Sequence, residues 1–205
     1  MKVIMINGSP NENGNTYIAL KEMTKVFEKE NVEYEIIHIG KEPLRGCVDC
    51  GYCNSHGMCV FNDVVNQVKD KLKDANGLVL GTPVYYASAN GTMIAFLDRL
   101  FASAGIDLRM KVGAAVAVAR RGGISTTFDE LNKYFTISEM PVVSSNYWNG
   151  VHGSKSGDAA LDVEGLSTMR ELANNMVFLM KAIELAKKEY GLPEKIKREK
   201  MDFIR

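Results

Sequence analysis

Lys2-Val3-Ile4-Met5-Ile6-Asn7-Gly8-Ser9-Pro10-Asn11-Glu12-Asn13-Gly14-Asn15-Thr16 is the stretch whose reading decides the fold. Val3 to Ile6 is an unbroken apolar run, the pattern of a strand covered on both faces. Asn7-Gly8-Ser9-Pro10 stops it. A helical pattern begins near Asn15 or Thr16, with Ala19, Met23, Val26 and Phe27 on one face. Strand, loop and helix in that order make half of a βαβ unit. The loop itself is rich in hydroxyls, side-chain amides and small residues. It lies where a helix N-terminus offers free backbone N–H groups and a positive dipole end. Those are the parts of a phosphate cradle, and with no lysine or arginine between Lys2 and Lys21 its donors are neutral. The loop matches neither the P-loop nor the G-x-G-x-x-G pattern, which argues against a nucleotide triphosphatase and against the dinucleotide fingerprint. An ordinary turn before a capped helix uses the same residue types.

Outward from this unit the chain alternates. Tyr34 to Ile39 reads as a second strand, and Asn62 or Asp63 caps a helix that aligns Val64, Val68 and Leu72. Leu78-Val79-Leu80 is a third strand, ended by Gly81-Thr82-Pro83. The next helix runs from Gly91 or Thr92 to about Ser103, with Met93, Phe96, Leu97 and Leu100 on one face. Val112 to Ala119 is the clearest strand; Arg120-Arg121-Gly122-Gly123 closes it, and a helix follows over about Ser125 to Tyr134. Pro141-Val142-Val143 is a weak fifth strand, Gly150 to Asp162 a polar loop, and a long last helix aligns Leu172, Met176, Leu179 and Ile183. This alternation predicts an α/β doubly wound parallel sheet of five strands over residues 1–190, with 191–205 as a C-terminal extension. Ligands bind such sheets beyond the C-terminal strand ends, at the point where strand order reverses. The loops after the first, third and fourth strands meet there.

All four cysteines fall in one short segment, Cys47, Cys50, Cys53 and Cys59, spaced C-x2-C-x2-C-x5-C within the loop 45–61. Three readings compete. Four thiolates from one wrapping loop suit a [4Fe–4S] cluster. Structural zinc also takes four thiolates, but favours two separated C-x2-C knuckles. Reduced thiols or disulfides in a loop are the third reading. His56 lies between two of the cysteines and reads as a solvated loop residue; His38 reads as a strand residue and His152 as a loop residue. No Ser–His–Asp set is placed by any motif.

The 205 residues carry 25 basic and 25 acidic side chains, a formal net charge of zero, which argues against a nucleic-acid surface driven by charge. The apolar start is too short for a signal peptide and no run approaches a membrane span, so a cytoplasmic protein is expected, with no membrane association. In that reducing compartment clustered cysteines read as metal ligands or redox groups first.

GSPNENGNT after the first strand, TPVYYASANGTMIAFLDR after the third, ARRGG after the fourth and the compact cysteine pattern together resemble the iron–sulfur flavoproteins. These belong to the NAD(P)H-dependent FMN reductase branch of the flavodoxin-like superfamily. The resemblance extends to about Ala186 and implies a flavodoxin-like sheet of order 2-1-3-4-5, a homo-oligomer (dimer or tetramer) with flavin near the interface, FMN, and a [4Fe–4S] cluster on the four cysteines. Carried over by residue, Ser9, Asn11, Asn15 and Thr16 ring the FMN phosphate and Gly14 allows close backbone approach. Pro83, Val84, Tyr85, Tyr86 and Ala87 run beside the isoalloxazine ring, with Asn90 and Gly91 just beyond. Arg120, Arg121, Gly122 and Gly123 approach the ring from the fourth-strand edge, where a guanidinium would stabilise added electron density. The alternative for either arginine is a surface ion pair. Tyr147 and Trp148 either cover a partner's flavin or fill an interface. The function implied is electron transfer between a low-potential donor, a ferredoxin-like protein or another redox partner, and an acceptor. Two alternatives stand beside it: an NAD(P)H-dependent FMN or quinone reductase with zinc or free thiols in the cysteine loop, and a non-enzymatic carrier or redox sensor.

Overall fold

β1 (Lys2–Asn7) is buried over almost its whole length because strands flank it on both edges and helices cover both faces. Side chains alternate across a strand, so Val3 and Met5 enter one core while Ile4 and Ile6 enter the other. The structure, a computed structural model, describes residues 1–103, 105–197, 199 and 201. After β1 come α1 (Asn15–Lys29), β2 (Glu33–His38), a one-turn α2 (Tyr52–His56), α3 (Val64–Leu72), β3 (Gly77–Tyr85), a two-residue β4 (Ser88–Ala89) and α4 (Gly91–Ser103). Then follow β5 (Val112–Ala119), α5 (Ile124–Ile137), β6 (Gly150–His152), a 3-10 turn (Asp158–Leu161) and α6 (Val163–Tyr190).

The parallel sheet runs β2-β1-β3-β5-β6, with β4 paired antiparallel to β3 at the far end. Leaving out β4, this is the expected flavodoxin-like order. α1 and α6 share one core with alternate residues of β3 and β5; α3, α4 and α5 share the other. α3 begins where expected: Asp63 caps it, its carboxylate accepting from the Val65 N–H at 3.1 Å. Among the described residues no helix is long and apolar enough to cross a membrane.

Three expectations change. The fifth strand is interrupted. Pro141-Val142-Val143 makes only an isolated bridge to Gly113, and the ladder resumes at β6, with Gly150, Val151 and His152 opposite Ala117, Val118 and Ala119. Between them residues 144–148 leave the sheet and expose Tyr147 and Trp148. The sequence predicts a loop at β6 because three residues flanked by Gly, Ser and Asn show no usable alternation; the neighbouring β5 edge supplies its pairing. His152 is accordingly a strand residue, its Nδ1 3.5 Å from Asp162. The cysteine segment is also not all loop, since α2 turns inside it, bounded by Gly51 at φ +68° and Gly57 at φ +61°. The C-terminal extension begins where α6 ends at Tyr190; its last residues lie outside the described ones.

Candidate functional site

The first loop closes on itself. The Ser9 N–H donates to the Asn7 side chain, the Asn11 N–H to the Ser9 hydroxyl, and the Gly14 N–H to the Asn11 carbonyl. The amides of Asn13, Asn15, Thr16 and Tyr17 find no acceptor among the described residues. A row of unpaired N–H groups at the start of a fifteen-residue helix suits a phosphate. Ser9 and Thr16 lie buried beneath this row. Gly14, the N-cap, is extended and buried against Asn11.

The Asn15 side chain is engaged elsewhere. Its Nδ2 donates to the Lys155 carbonyl at 2.9 Å, and its Oδ1 accepts from the N–H groups of Gly157 (3.0 Å) and Ala159 (3.2 Å). It clamps the 153–161 segment to the mouth of α1, leaving its backbone amide for the cradle. The loop's outer wall comes from the end of β2. His38 Nε2 lies 2.6 Å from the Ser9 carbonyl, and a Cβ on Gly40 would stand 1.9 Å from that same oxygen, so only glycine fits there.

The second wall is the β3–β4 hairpin. Its turn residues Tyr86 and Ala87 both have positive φ, +53° and +60°, as a tight primed turn requires. Neither is glycine, so the turn stores backbone strain. α5 holds it: Glu130 accepts from the Ser88 hydroxyl and the Ala89 N–H, and the Thr126 hydroxyl donates to the Ala87 carbonyl at 2.7 Å. Tyr86 is 106% exposed and Tyr85 47%, so among the described residues Tyr86 is left uncovered and Tyr85 about half covered. Asn90 links the walls, donating to the Gly8 carbonyl while accepting from the Thr82 hydroxyl and the Met93 N–H.

Gly123, at φ +91°, lets the loop after β5 press against Val84 and Ala87, where a Cβ would meet the Ala87 Cα at 2.8 Å. Of the residues the resemblance assigns to the ring, Val84, Ala87 and Gly123 are thereby brought together. Arg120 and Arg121 are exposed and pair with no carboxylate among the described residues. Arg121 and Gly123 also border a cavity of about 380 Å³ shared with Tyr147, Trp148, His152 and the start of α6. This lining was missed because it depends on the interrupted edge strand.

The cysteine loop lies on the α3/α4 layer. Cys47, Cys50, Cys53 and Cys59 all line one cavity of about 170 Å³ floored by Arg99, Ala102 and Ser103 of α4. Asn66 of α3 fixes the Cys59 backbone, accepting from its N–H and donating to its carbonyl, both at 2.9 Å. Arg99 is 1% exposed; its Nε donates to Cys59 Sγ at 3.2 Å and its two terminal nitrogens to the Asp63 carboxylate at 2.8 and 3.0 Å. Burial disfavours the Arg99 charge, but the bonds to Asp63 and Cys59 outweigh it and hold its pKa above the ordinary guanidinium value. Among the described residues no three His, Cys, Asp or Glu side chains converge tightly enough to hold a single metal ion. Four thiol side chains lining one cavity are a donor set of the kind that an iron–sulfur cluster or a zinc ion takes. The His56 ring stacks on Tyr52 at 3.8 Å, and its Nδ1 lies 3.0 Å from the Tyr52 carbonyl oxygen.

A doubly wound sheet with an anion cradle after the first strand, and two walls from the third and fourth parallel strands, defines a flavin-binding redox protein of the flavodoxin-like class. The chain belongs to the NADPH-dependent FMN reductase family, which matches residues 1–155, and to its iron–sulfur flavoprotein branch. It is 35% identical over 192 residues to an iron-sulfur flavoprotein of Methanocaldococcus jannaschii, covering 90% of this chain and 100% of that one. It is 28% identical over 188 residues to the iron-sulfur flavoprotein of Methanosarcina thermophila, covering 90% and 97%. A flavodoxin structure from the domain Archaea superposes with a TM-score of 0.59 at 17% identity, covering 88% of this chain and 99% of that one, which speaks to the fold alone. The chain is an FMN-dependent oxidoreductase.

Proposed function

We propose that this protein transfers electrons between a low-potential donor and an acceptor through FMN in the sheet-edge groove and a [4Fe–4S] cluster on Cys47, Cys50, Cys53 and Cys59. The observation that carries this reading is the single cavity lined by all four cysteines of a chain in the FMN reductase family. When bound, FMN supplies paired or single electrons and the cluster single ones, so the pair can convert between the two. The chain's own part is positional. Unpaired amides at the start of α1 and the Ser9 region hold the phosphate, and the hairpin strapped by Glu130 presents Pro83 to Ala87 to the ring face. Arg120 and Arg121 favour electron density near the ring from the β5 edge. Exposed Tyr85, Tyr86, Tyr147 and Trp148 give a second copy of the chain an aromatic surface to cover, which supports a homo-oligomer. The location is cytoplasmic, where thiols stay reduced for metal binding.

The family match itself supports a second reading, an NAD(P)H-dependent FMN or quinone reductase with zinc or free thiols in the loop. An absorption spectrum of protein purified without oxygen, with iron, sulfide and zinc assayed on the same sample, separates them. Flavin bands on a broad shoulder, with about four irons and four sulfides per chain, are expected. Flavin with zinc or no metal, together with steady NAD(P)H oxidation, would establish the second reading. Bound FMN without turnover would point to a carrier.

A further inference from the structure

We infer that Arg99 is a positioning residue that sets the redox potential of the cysteine-bound cluster, acting through Cys59 and balanced by Asp63. This rests on the iron–sulfur reading above. Arg99 lies in the last turns of α4, outside the cysteine segment, and it is fully buried at the cavity floor. A buried guanidinium is kept only with partners. Here the charged and sulfur partners are Asp63 at 2.8 and 3.0 Å and Cys59 Sγ at 3.2 Å, with the Arg45 and Phe61 carbonyls accepting more weakly at 3.4 Å. Phe61 covers its flat face with the guanidinium carbon 5.0 Å from the ring centre, which shields the contact from water.

Arg99 is not needed to place the Cys59 backbone, because Asn66 holds that residue by both its N–H and its carbonyl. What Arg99 adds is an N–H donor and a positive charge on the sulfur itself. Adding one electron to a cluster raises the negative charge on its ligand sulfurs. A cationic donor there favours the one-electron-reduced state, and hydrogen bonds to the sulfurs are among the established controls of cluster potential. Asp63 opposes this: its carboxylate partly neutralises Arg99 and places a negative charge near the same site. The two residues should therefore shift the potential in opposite directions when neutralised.

The test is a midpoint-potential titration of the cluster in the oxygen-free holoprotein, followed by its electron paramagnetic resonance, with FMN titrated in the same sample. Arg99→Gln is expected to lower the cluster potential and Arg99→Lys to lower it less, with the FMN potential unchanged. Asp63→Asn is expected to raise it; asparagine caps a helix as well as aspartate, so α3 is preserved. Asn66→Ala, which loosens the loop without touching the sulfur, is expected to lower cluster content but leave the potential of the loaded fraction unchanged. Potentials unchanged in Arg99→Gln, or a downward shift in Asp63→Asn, would overturn the inference. If the Arg99 variants fail to hold a cluster, Asp63→Asn decides alone: an upward shift supports it and no shift refutes it. Wild-type protein without iron and sulfide would instead remove the iron–sulfur reading on which the inference stands.

Discussion

Asn15→Ala separates two roles for a residue that the sequence places on the phosphate and the structure places in a clamp. The side chain makes three hydrogen bonds, at 2.9, 3.0 and 3.2 Å, to backbone groups of Lys155, Gly157 and Ala159. Each such bond contributes about 0.5–1.5 kcal/mol net, and water competes at this partly exposed position, so the lower half of that range applies, for about 2 kcal/mol in all. In a chain of this size about 2 kcal/mol lowers Tm by roughly 4–8 °C. Asn15→Asp keeps the two acceptor contacts and loses one donor. A carboxylate in the first turn also suits the helix dipole, so its stability cost should be smaller than that of alanine. Its negative charge, however, faces the amides assigned to a phosphate. Urea unfolding of the flavin-free protein, followed by circular dichroism, reads the first effect; FMN fluorescence quenching reads the second. The expected order of stability is wild type, Asn15→Asp, Asn15→Ala, while the order of FMN affinity places Asn15→Asp last. An Asn15→Ala protein as stable as wild type but binding FMN at least about tenfold more weakly, a change of about 1.4 kcal/mol, would refute the clamp. It would return the side chain to the phosphate.

Gly40→Ala should displace the first loop, because its Cβ would lie 1.9 Å from the Ser9 carbonyl oxygen; a loss of about 1–3 kcal/mol is expected from such overpacking, with faster FMN dissociation in stopped-flow fluorescence, and unchanged dissociation would mean the wall yields. Cys50→Ala should lose iron and sulfide yet keep FMN, since the cysteine loop sits on the α3/α4 layer and the cradle at the start of α1; equal loss of flavin in the metal and flavin assays would make the loop a support of the fold. Glu22 predicts an acid-sensitive step. Burial pushes its pKa up, but bonds from Lys25 and Arg170 overcome this and hold it below the usual carboxylate value. Its contribution is therefore present above the unfolded pKa of about 4.3 and is lost as pH falls through the lower folded value. Glu22→Gln should flatten the stability profile below about pH 4.5 in thermal melts; a profile parallel to wild type would show that other carboxylates carry the acid transition.

Much of the architecture was legible because it is written in short-range periodicity. The unbroken run Val112 to Ala119 can only be a strand covered on both faces, and it is buried throughout. Asp63 announced the start of α3 by its chemistry alone. The tight turn at Tyr86–Ala87 was not legible. The adjacent pair Asn90–Gly91 carries the usual hairpin signal but begins α4 instead, and the strained turn is held by Glu130, more than forty positions away. β6 was hidden for a similar reason: its pairing is donated by β5, and its own three residues carry no pattern.

The sequence by itself determined the strand–loop–helix order, the neutral cradle after β1 and the clustering of four thiols, since each depends on residues adjacent in the chain. Only the tertiary structure decided that Asn15 clamps a segment 140 positions away, that the edge strand is broken to present Tyr147 and Trp148, and that Arg99 meets Cys59 across 40 positions. Periodicity and spacing encode what a segment is. A hydrogen bond between distant residues exists only once the sheet has placed two unrelated loops at one edge and two helices side by side.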